Sequence, residues 1–312
     1  MIDPLSSAGA SSRREFLQRA GGGAAIALAA GALGPRVARA AGAAAPKPRY
    51  RIGVCDWMIL KRQRLGAFGR AAECGVDGVE VDMGSLGQRD TFDSALADPA
   101  VREQFLQAAQ ENSLEICSLA MSGFYAQSFA ERPTYRQMVG DCLRTMQQMK
   151  VGVAFLPLGV RGDLVQHPEL RPAIVERLQT VGAEAAAAGV VIGVETALDA
   201  AGEVQLLEEI GSPAVRSYFN FANALQNGRD LLAELRTLGK DRICQIHCTD
   251  EDGVWLEHNQ RIDLPAVKAV LDDMDWRGWL VMERSRDARN SRDVVGNYGA
   301  NARYLKSVFQ GS

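Results

Sequence analysis

The chain has 312 residues, 47% apolar and 23% charged, a balance typical of soluble globular proteins that excludes disordered, collagen-like and multi-span membrane chains. Formal charge is -3; setting aside residues 1–40, whose five arginines oppose Asp3 and Glu15, leaves 30 basic against 36 acidic residues over 272 positions. No dense basic cluster offsets that acidity, which argues against a nucleic-acid partner, and the remaining length suits one large α/β domain better than two average ones.

Residues 1–40 read as an export leader. Ser12-Arg13-Arg14-Glu15-Phe16-Leu17-Gln18 precedes a weakly apolar run, Ala20 to Leu33, and Ala38-Arg39-Ala40 follows. This order of charged, apolar and small residues is that of a signal peptide cleaved after Ala40. The paired arginines followed by Phe-Leu resemble the bacterial twin-arginine signal, which implies passage through the twin-arginine translocase in the folded state and a periplasmic location. A stable membrane anchor takes roughly 20 strongly apolar residues; this run is shorter and mostly Ala and Gly. Residues 41–49 form a linker.

From Tyr50 onward, short β-branched runs alternate with helical stretches. The predicted strands are Ile52 to Trp57, Gly78 to Asp82, Glu115 to Met121, Val153 to Leu158, Val190 to Thr196, Arg216 to Phe221, Ile243 to Thr249 and Trp279 to Arg284. The predicted helices are Leu65 to Cys74, Pro99 to Asn112, Tyr135 to Lys150, Pro168 to Ala188, Glu203 to Ile210, Asp230 to Leu238, Leu264 to Met274 and Asp293 to Phe309. Several open on a cap or an early proline, as in Asp98-Pro99, His167-Pro168 and Asp263 with Pro265. Eight such pairs without a long linker predict a single (β/α)8 TIM barrel over residues 50–312. A doubly wound sheet would usually open with a glycine-rich phosphate loop, which is missing.

All six cysteines, Cys55, Cys74, Cys117, Cys142, Cys244 and Cys248, fall after the leader and are scattered through apolar runs, so they read as buried thiols rather than disulfides. Cys244 and Cys248 bracket His247, but on an extended strand they point to the opposite face.

In a TIM barrel the chemistry gathers at the C-terminal ends of the strands. The fifth predicted strand ends in Glu195, the sixth in Asn220, the seventh in His247 and the eighth in Glu283. The two-residue period puts Gly193 with Glu195, Tyr218 with Asn220, Gln245 with His247 and Val281 with Glu283 on one face of their strands. Two carboxylates, an imidazole and an amide then converge on the barrel axis, a donor set suited to a hard or borderline divalent cation. Burying the carboxylates side by side without a cation would be costly.

The stretch from Val190 onward resembles the xylose isomerase-like TIM barrels, a group of sugar phosphate isomerases and epimerases. The residues that carry the resemblance are Gly193-Val194-Glu195-Thr196, Tyr218-Phe219-Asn220-Phe221-Ala222-Asn223, Ile243-Cys244-Gln245-Ile246-His247-Cys248-Thr249-Asp250, Ile262-Asp263-Leu264-Pro265 and Gly278-Trp279-Leu280-Val281-Met282-Glu283. Looser matches lie at Ile52 to Trp57, Gly78 to Val81, and Leu156 to Leu158 with Gly162-Asp163. The resemblance implies a divalent metal (Mn, Mg, Co or Zn) held by Glu195, Asn220, His247 and Glu283, with His247 a neutral-imidazole ligand. It makes Glu195 and Glu283 the acid and base that move a proton beside a carbonyl, and places Asp250 against the substrate or behind the ligands. Trp57, Glu80, Asn223, His258 and Arg261 are further substrate-binding candidates. Asp56, Asp82, Phe124 and Tyr125 could also line a sugar site, and Arg284 and Arg286 meet an anionic group.

Two departures stand out. Asn220 replaces the family's usual Asp, which weakens the expected metal site, and Thr249 replaces a Lys that could meet a substrate oxygen. The function expected is an exported isomerase or epimerase acting on a sugar or polyol. Two alternatives are a keto-sugar or keto-glycoside lyase, hydratase or hydrolase using the same site, and a non-catalytic carbohydrate-binding barrel. A DNA-repair endonuclease is disfavoured by acidity and export. Assembly into a homo-oligomer is compatible with the sequence but not specified by it.

Overall fold

Eight parallel strands pair in chain order and close into a barrel, the first strand bonding to the eighth. The computed structural model describes residues 47–85 and 90–311. The leader, its twin-arginine motif and most of the linker therefore lie outside the described residues, and no described helix is long and apolar enough to cross a membrane.

The strands are β1 (Tyr50–Cys55), β2 (Gly78–Asp82), β3 (Glu115–Ala120), β4 (Val153–Pro157), β5 (Val191–Glu195), β6 (Val215–Asn220), β7 (Ile243–His247) and β8 (Gly278–Met282). Around them run α1 (Gly66–Glu73), α2 (Pro99–Glu111), α3 (Tyr135–Met149), α4 (Arg171–Ala188), α5 (Ala200–Ile210), α6 (Phe221–Gln226), α7 (Leu231–Leu238), α8 (Leu264–Asp273) and α9 (Val294–Phe309). The predicted (β/α)8 architecture is correct, and each predicted element is present with ends shifted by a few residues. Pro168–Leu170 forms a 3-10 turn ahead of α4 rather than its first turn.

Side-chain caps set most helix starts: Asp98, Asp199, Asp230, Asp263 and Asp293 each accept from a backbone N–H of the first turn. The short α6 was not predicted. It begins directly at the end of β6, where Asn220 accepts from the Ala222 N–H at 2.9 Å. That bond decides how the site is built.

Outward-facing strand residues such as Ile52, Val54, Val79, Ile192 and Leu280 pack with the helices into the main core. The barrel interior is filled by a second set: Cys55, Cys117, Trp279 and Val281 form one cluster, and Ala120, Phe155 and Tyr218 another, with Trp57 packed against both. Gly193 is what lets Tyr218 lie across β5, since a Cβ there would come within 2.7 Å of Cys244 Sγ and 3.0 Å of the Tyr218 ring.

Candidate active site at the strand ends

Because inward positions recur every second residue, Cys55, Glu80, Ser118, Tyr218, Gln245 and His247 all point into the barrel and meet there. His247, the last residue of β7, is fully buried, and both of its ring nitrogens face carboxylates. Nδ1 lies 2.9 Å from Glu195 Oε2 and Nε2 lies 3.0 Å from Glu80 Oε1. Phe155 and Tyr218 pack on the ring at centroid distances of 4.8 and 4.5 Å. Burial alone would keep the imidazole neutral. The Glu80 charge and the hydrogen bonds to Glu195 and Glu80 outweigh it and lift its pKa well above the ordinary histidine value. Without an ion these contacts favour the protonated ring; the neutral ligand expected from sequence is the ion-bound form.

The structure brings the four strand-end residues together. Glu195 Oε2 accepts from His247 and from Asn220 Nδ2 at 2.9 Å, and Oε1 accepts from the Tyr125 hydroxyl at 2.9 Å. Glu283, just past the end of β8, receives only a long bond from Asn220 Nδ2, 3.4 Å, and stands 4.0 Å from His247 Nδ1. Burial and the neighbouring Glu195 charge raise the Glu283 pKa above the ordinary glutamate value despite His247 nearby. Its main chain is fixed at both ends: the N–H donates to Thr249 Oγ1 and the carbonyl accepts from the Tyr298 hydroxyl.

Asn220 does not present itself as sequence reading expected. Its Oδ1 is committed to the α6 N–H, so its NH2 group faces the two carboxylates and bridges them. Reversing the amide would set NH2 against an N–H donor and an acceptor oxygen against two carboxylates. An ion on the Nδ1 side of the imidazole thus finds three acceptor groups, Glu195, His247 and Glu283, and a donor where the fourth ligand would stand.

Glu80 was expected among the substrate-binding residues, and its contacts in the structure lie within the barrel. It is fully buried and spends both oxygens inside the barrel: Oε1 on Cys55 Sγ (3.3 Å) and His247 (3.0 Å), Oε2 on Ser118 Oγ (2.7 Å) and the Tyr218 hydroxyl (2.8 Å). Burial would raise its pKa, but His247, Ser118 and Tyr218 more than offset this and lower it. Cys55, read from sequence as a packing thiol, is the residue that sequence reasoning missed. Its sulfur, a Glu80 oxygen and a His247 nitrogen lie within 4.8 Å of one another and can chelate a divalent ion. The signal was available, for Cys55 ends β1 as His247 ends β7. All six cysteines are free thiols and Cys244 is partly exposed.

The remaining sequence-predicted residues separate by geometry. Trp57 is half-buried beside the interior clusters, with Arg62 5.8 Å from its ring centroid. Asn223 donates to the Thr196 carbonyl and acts as a strut. Asp250 is buried, and its carboxylate accepts from the Glu251 N–H, Asn259 and Arg261, so it ties its own loop. Arg261 shares itself between Asp250 and Glu251, while His258 is exposed and stacks on Trp255. Phe124 is core, packed edge-on against Phe92 and Phe129. Asp56 and Asp82 form a buried pair, with Arg62 and Ser122 on Asp82. Arg286 is taken up by Asp252.

A profile of the xylose isomerase-like TIM barrel family matches residues 68–308. The chain belongs to that family. A characterised relative, 2-epi-5-epi-valiolone 7-phosphate 2-epimerase from Actinoplanes sp., is 29% identical over 205 residues, covering 64% of this chain and 72% of its own. Among solved structures, D-psicose 3-epimerase with D-tagatose from Clostridium cellulolyticum H10 superposes with a TM-score of 0.66 at 15% identity, over 83% of this chain and 99% of its own. The apo form of 3-keto-D-glucoside 4-epimerase from E. coli gives 0.65 at 17% identity, with the same coverage. At these identities the structural likeness concerns the fold.

Proposed function

We propose that this protein is a sugar or polyol epimerase or isomerase that moves a proton on a carbon beside a carbonyl, with Glu195 and Glu283 as the two proton-handling groups. The observation that carries this reading is the unequal pair at one barrel mouth. Glu195 accepts three hydrogen bonds, whereas Glu283 receives a single long one and, through burial, holds its proton to higher pH. One group is thus poised to take a proton and the other to give one. Asn220 sets their spacing, Tyr125 orients Glu195, and the cationic His247 beside them favours negative charge developing on a substrate oxygen. A divalent ion bound at His247 would displace the ring's proton and supply the positive charge in its place.

The names of the relatives support keto-sugars and cyclitols as the substrate class, and the leader motif supports export to the periplasm by the twin-arginine route. The test is incubation with a panel of keto-sugars and keto-glycosides in deuterated water. Deuterium uptake with the carbon skeleton retained, lost by 10²-fold or more in Glu195→Gln and Glu283→Gln, is expected. Release of water or an aglycone would point instead to elimination or hydrolysis. Sugar binding with no exchange would leave only a binding barrel.

A further inference from the structure

We propose that the substrate carries a neutral apolar group, an alkyl or aryl aglycone, beyond the sugar ring that reacts, and that a rim of exposed apolar side chains around the barrel mouth holds it. Resting on the reaction proposed above, this narrows its substrates to glycosides. Among the described residues, the large apolar side chains left exposed are Leu60, Leu65, Val160, Val165 and Val254. All five lie in the loops that follow β1, β4 and β7, on the face of the barrel where Glu195 and Glu283 sit. Those strands are three, three and two steps apart around the ring, so the rim encircles the mouth instead of forming a patch on one side.

Two of these side chains are held out at a conformational cost. Leu60 and Val160, 65% and 67% exposed, have φ of 58° and 60°, in the left-handed region that glycine adopts freely and a β-branched residue disfavours most. Neither gains burial in return. A glycine would relieve the backbone and a polar side chain would suit water; an apolar one at these places gains only when a ligand covers it.

The rim is continuous with the reacting centre. Trp57 and Tyr125 pack on the same interior cluster, the Tyr125 hydroxyl donates to Glu195, and the Trp57 carbonyl accepts from the Leu60 N–H at 3.4 Å. In the loop after β7, Trp255 follows Val254; its indole N–H donates to Asn297 Oδ1 at 2.8 Å and His258 stacks on its ring. A group attached to a sugar at the two glutamates would leave the mouth past these residues. Three arginines of the mouth loops are already spent on carboxylates, Arg62 on Asp82, Arg261 on Asp250 and Glu251, and Arg286 on Asp252, which favours a neutral group over a phosphate. A second copy of the chain fits less well, because a stable interface packs an apolar centre of about 800 Å² a side, and the centre of this rim is the polar mouth.

The test is titration calorimetry of full-length protein with methyl, butyl and hexyl β-D-glucoside below micelle formation, and with glucose 6-phosphate, which probes Arg161, the cation beside Val160. A buried methylene is worth about fourfold in affinity, so hexyl glucoside is expected to bind on the order of tenfold or more tighter than methyl glucoside. The combined variant Leu60→Ser, Val160→Gly, Val254→Ser is expected to lose that difference and keep its affinity for methyl glucoside. Val160→Gly alone is expected to reduce the difference with no loss of melting temperature, which covers misfolding of the combined variant. Affinity independent of chain length, a dependence that survives the combined variant, tighter binding of glucose 6-phosphate, or a dimer in solution that the combined variant dissolves each overturns the proposal. Deuterium exchange into a free keto-sugar without any chain-length effect would remove this inference alone, whereas a chain-length effect without exchange would remove the proposed reaction and keep the rim.

Discussion

Asn220 donates through Nδ2 to Glu195 Oε2 at 2.9 Å while its Oδ1 accepts from the Ala222 N–H at 2.9 Å, so one side chain both starts α6 and holds the carboxylate pair in place. Asn220→Asp keeps the cap but puts a third carboxylate against Glu195 and Glu283. The variant is expected to lose stability on the order of 3 kcal/mol in chelator and to recover it on adding Mn2+. Thermal melts with and without the ion check this, and a melting temperature indifferent to Mn2+ would count against it.

Tyr125 is the donor that Glu195 does not share with Glu283. Tyr125→Phe removes one charge-assisted bond to that carboxylate, about 1.5–3 kcal/mol. A drop in kcat/KM of roughly tenfold or more follows. An unchanged kcat/KM would assign Tyr125 to packing alone.

Glu203, fully buried on α5, accepts from Thr196 Oγ1 at 3.0 Å and leaves its other oxygen without a partner. Burial first, then the charges of Glu195 and Glu234, push its pKa up to about 7 from an ordinary 4.5. The unfolded chain gives up this proton at lower pH than the folded one, so stability falls as pH rises from about 4.5 to about 7 and is level above. Glu203→Gln keeps the acceptor for Thr196 and removes the titration. It should be more stable than the parent at pH 8 by up to about 3 kcal/mol and gain little near pH 4.5. Denaturant titrations at the two pH values measure the difference.

The leader reading predicts that replacing Arg13 and Arg14 by lysine together abolishes or sharply slows export. Cell fractionation of a bacterial host would then find the uncleaved chain inside the cell. Equal periplasmic yield from both forms would remove the assignment.

The barrel was legible because both of its signals are local. Apolar strand cores repeat eight times, and Asp98, Asp263 and their kin mark where helices begin. Parity within a strand was enough to place Glu195, Asn220, His247 and Glu283 at one mouth. What parity cannot supply is the partner across the barrel: that Glu80 lies under His247, or that Cys55 joins them, depends on register between β1, β2 and β7, far apart in sequence. Asn220 shows a second limit. Residue type suggested a ligand oxygen, but an Asn directly ahead of Phe221-Ala222 is also a helix cap, and the cap decides which end of the amide meets the carboxylates.

Closure of the ring through β1 and β8 has a temporal consequence. Cys55 and Glu80 leave the ribosome long before His247, and the last strand needed to seal β1 in place comes later still. A nascent chain short of β8 lacks the assembled pocket, so an ion can be held there only once the ring has closed.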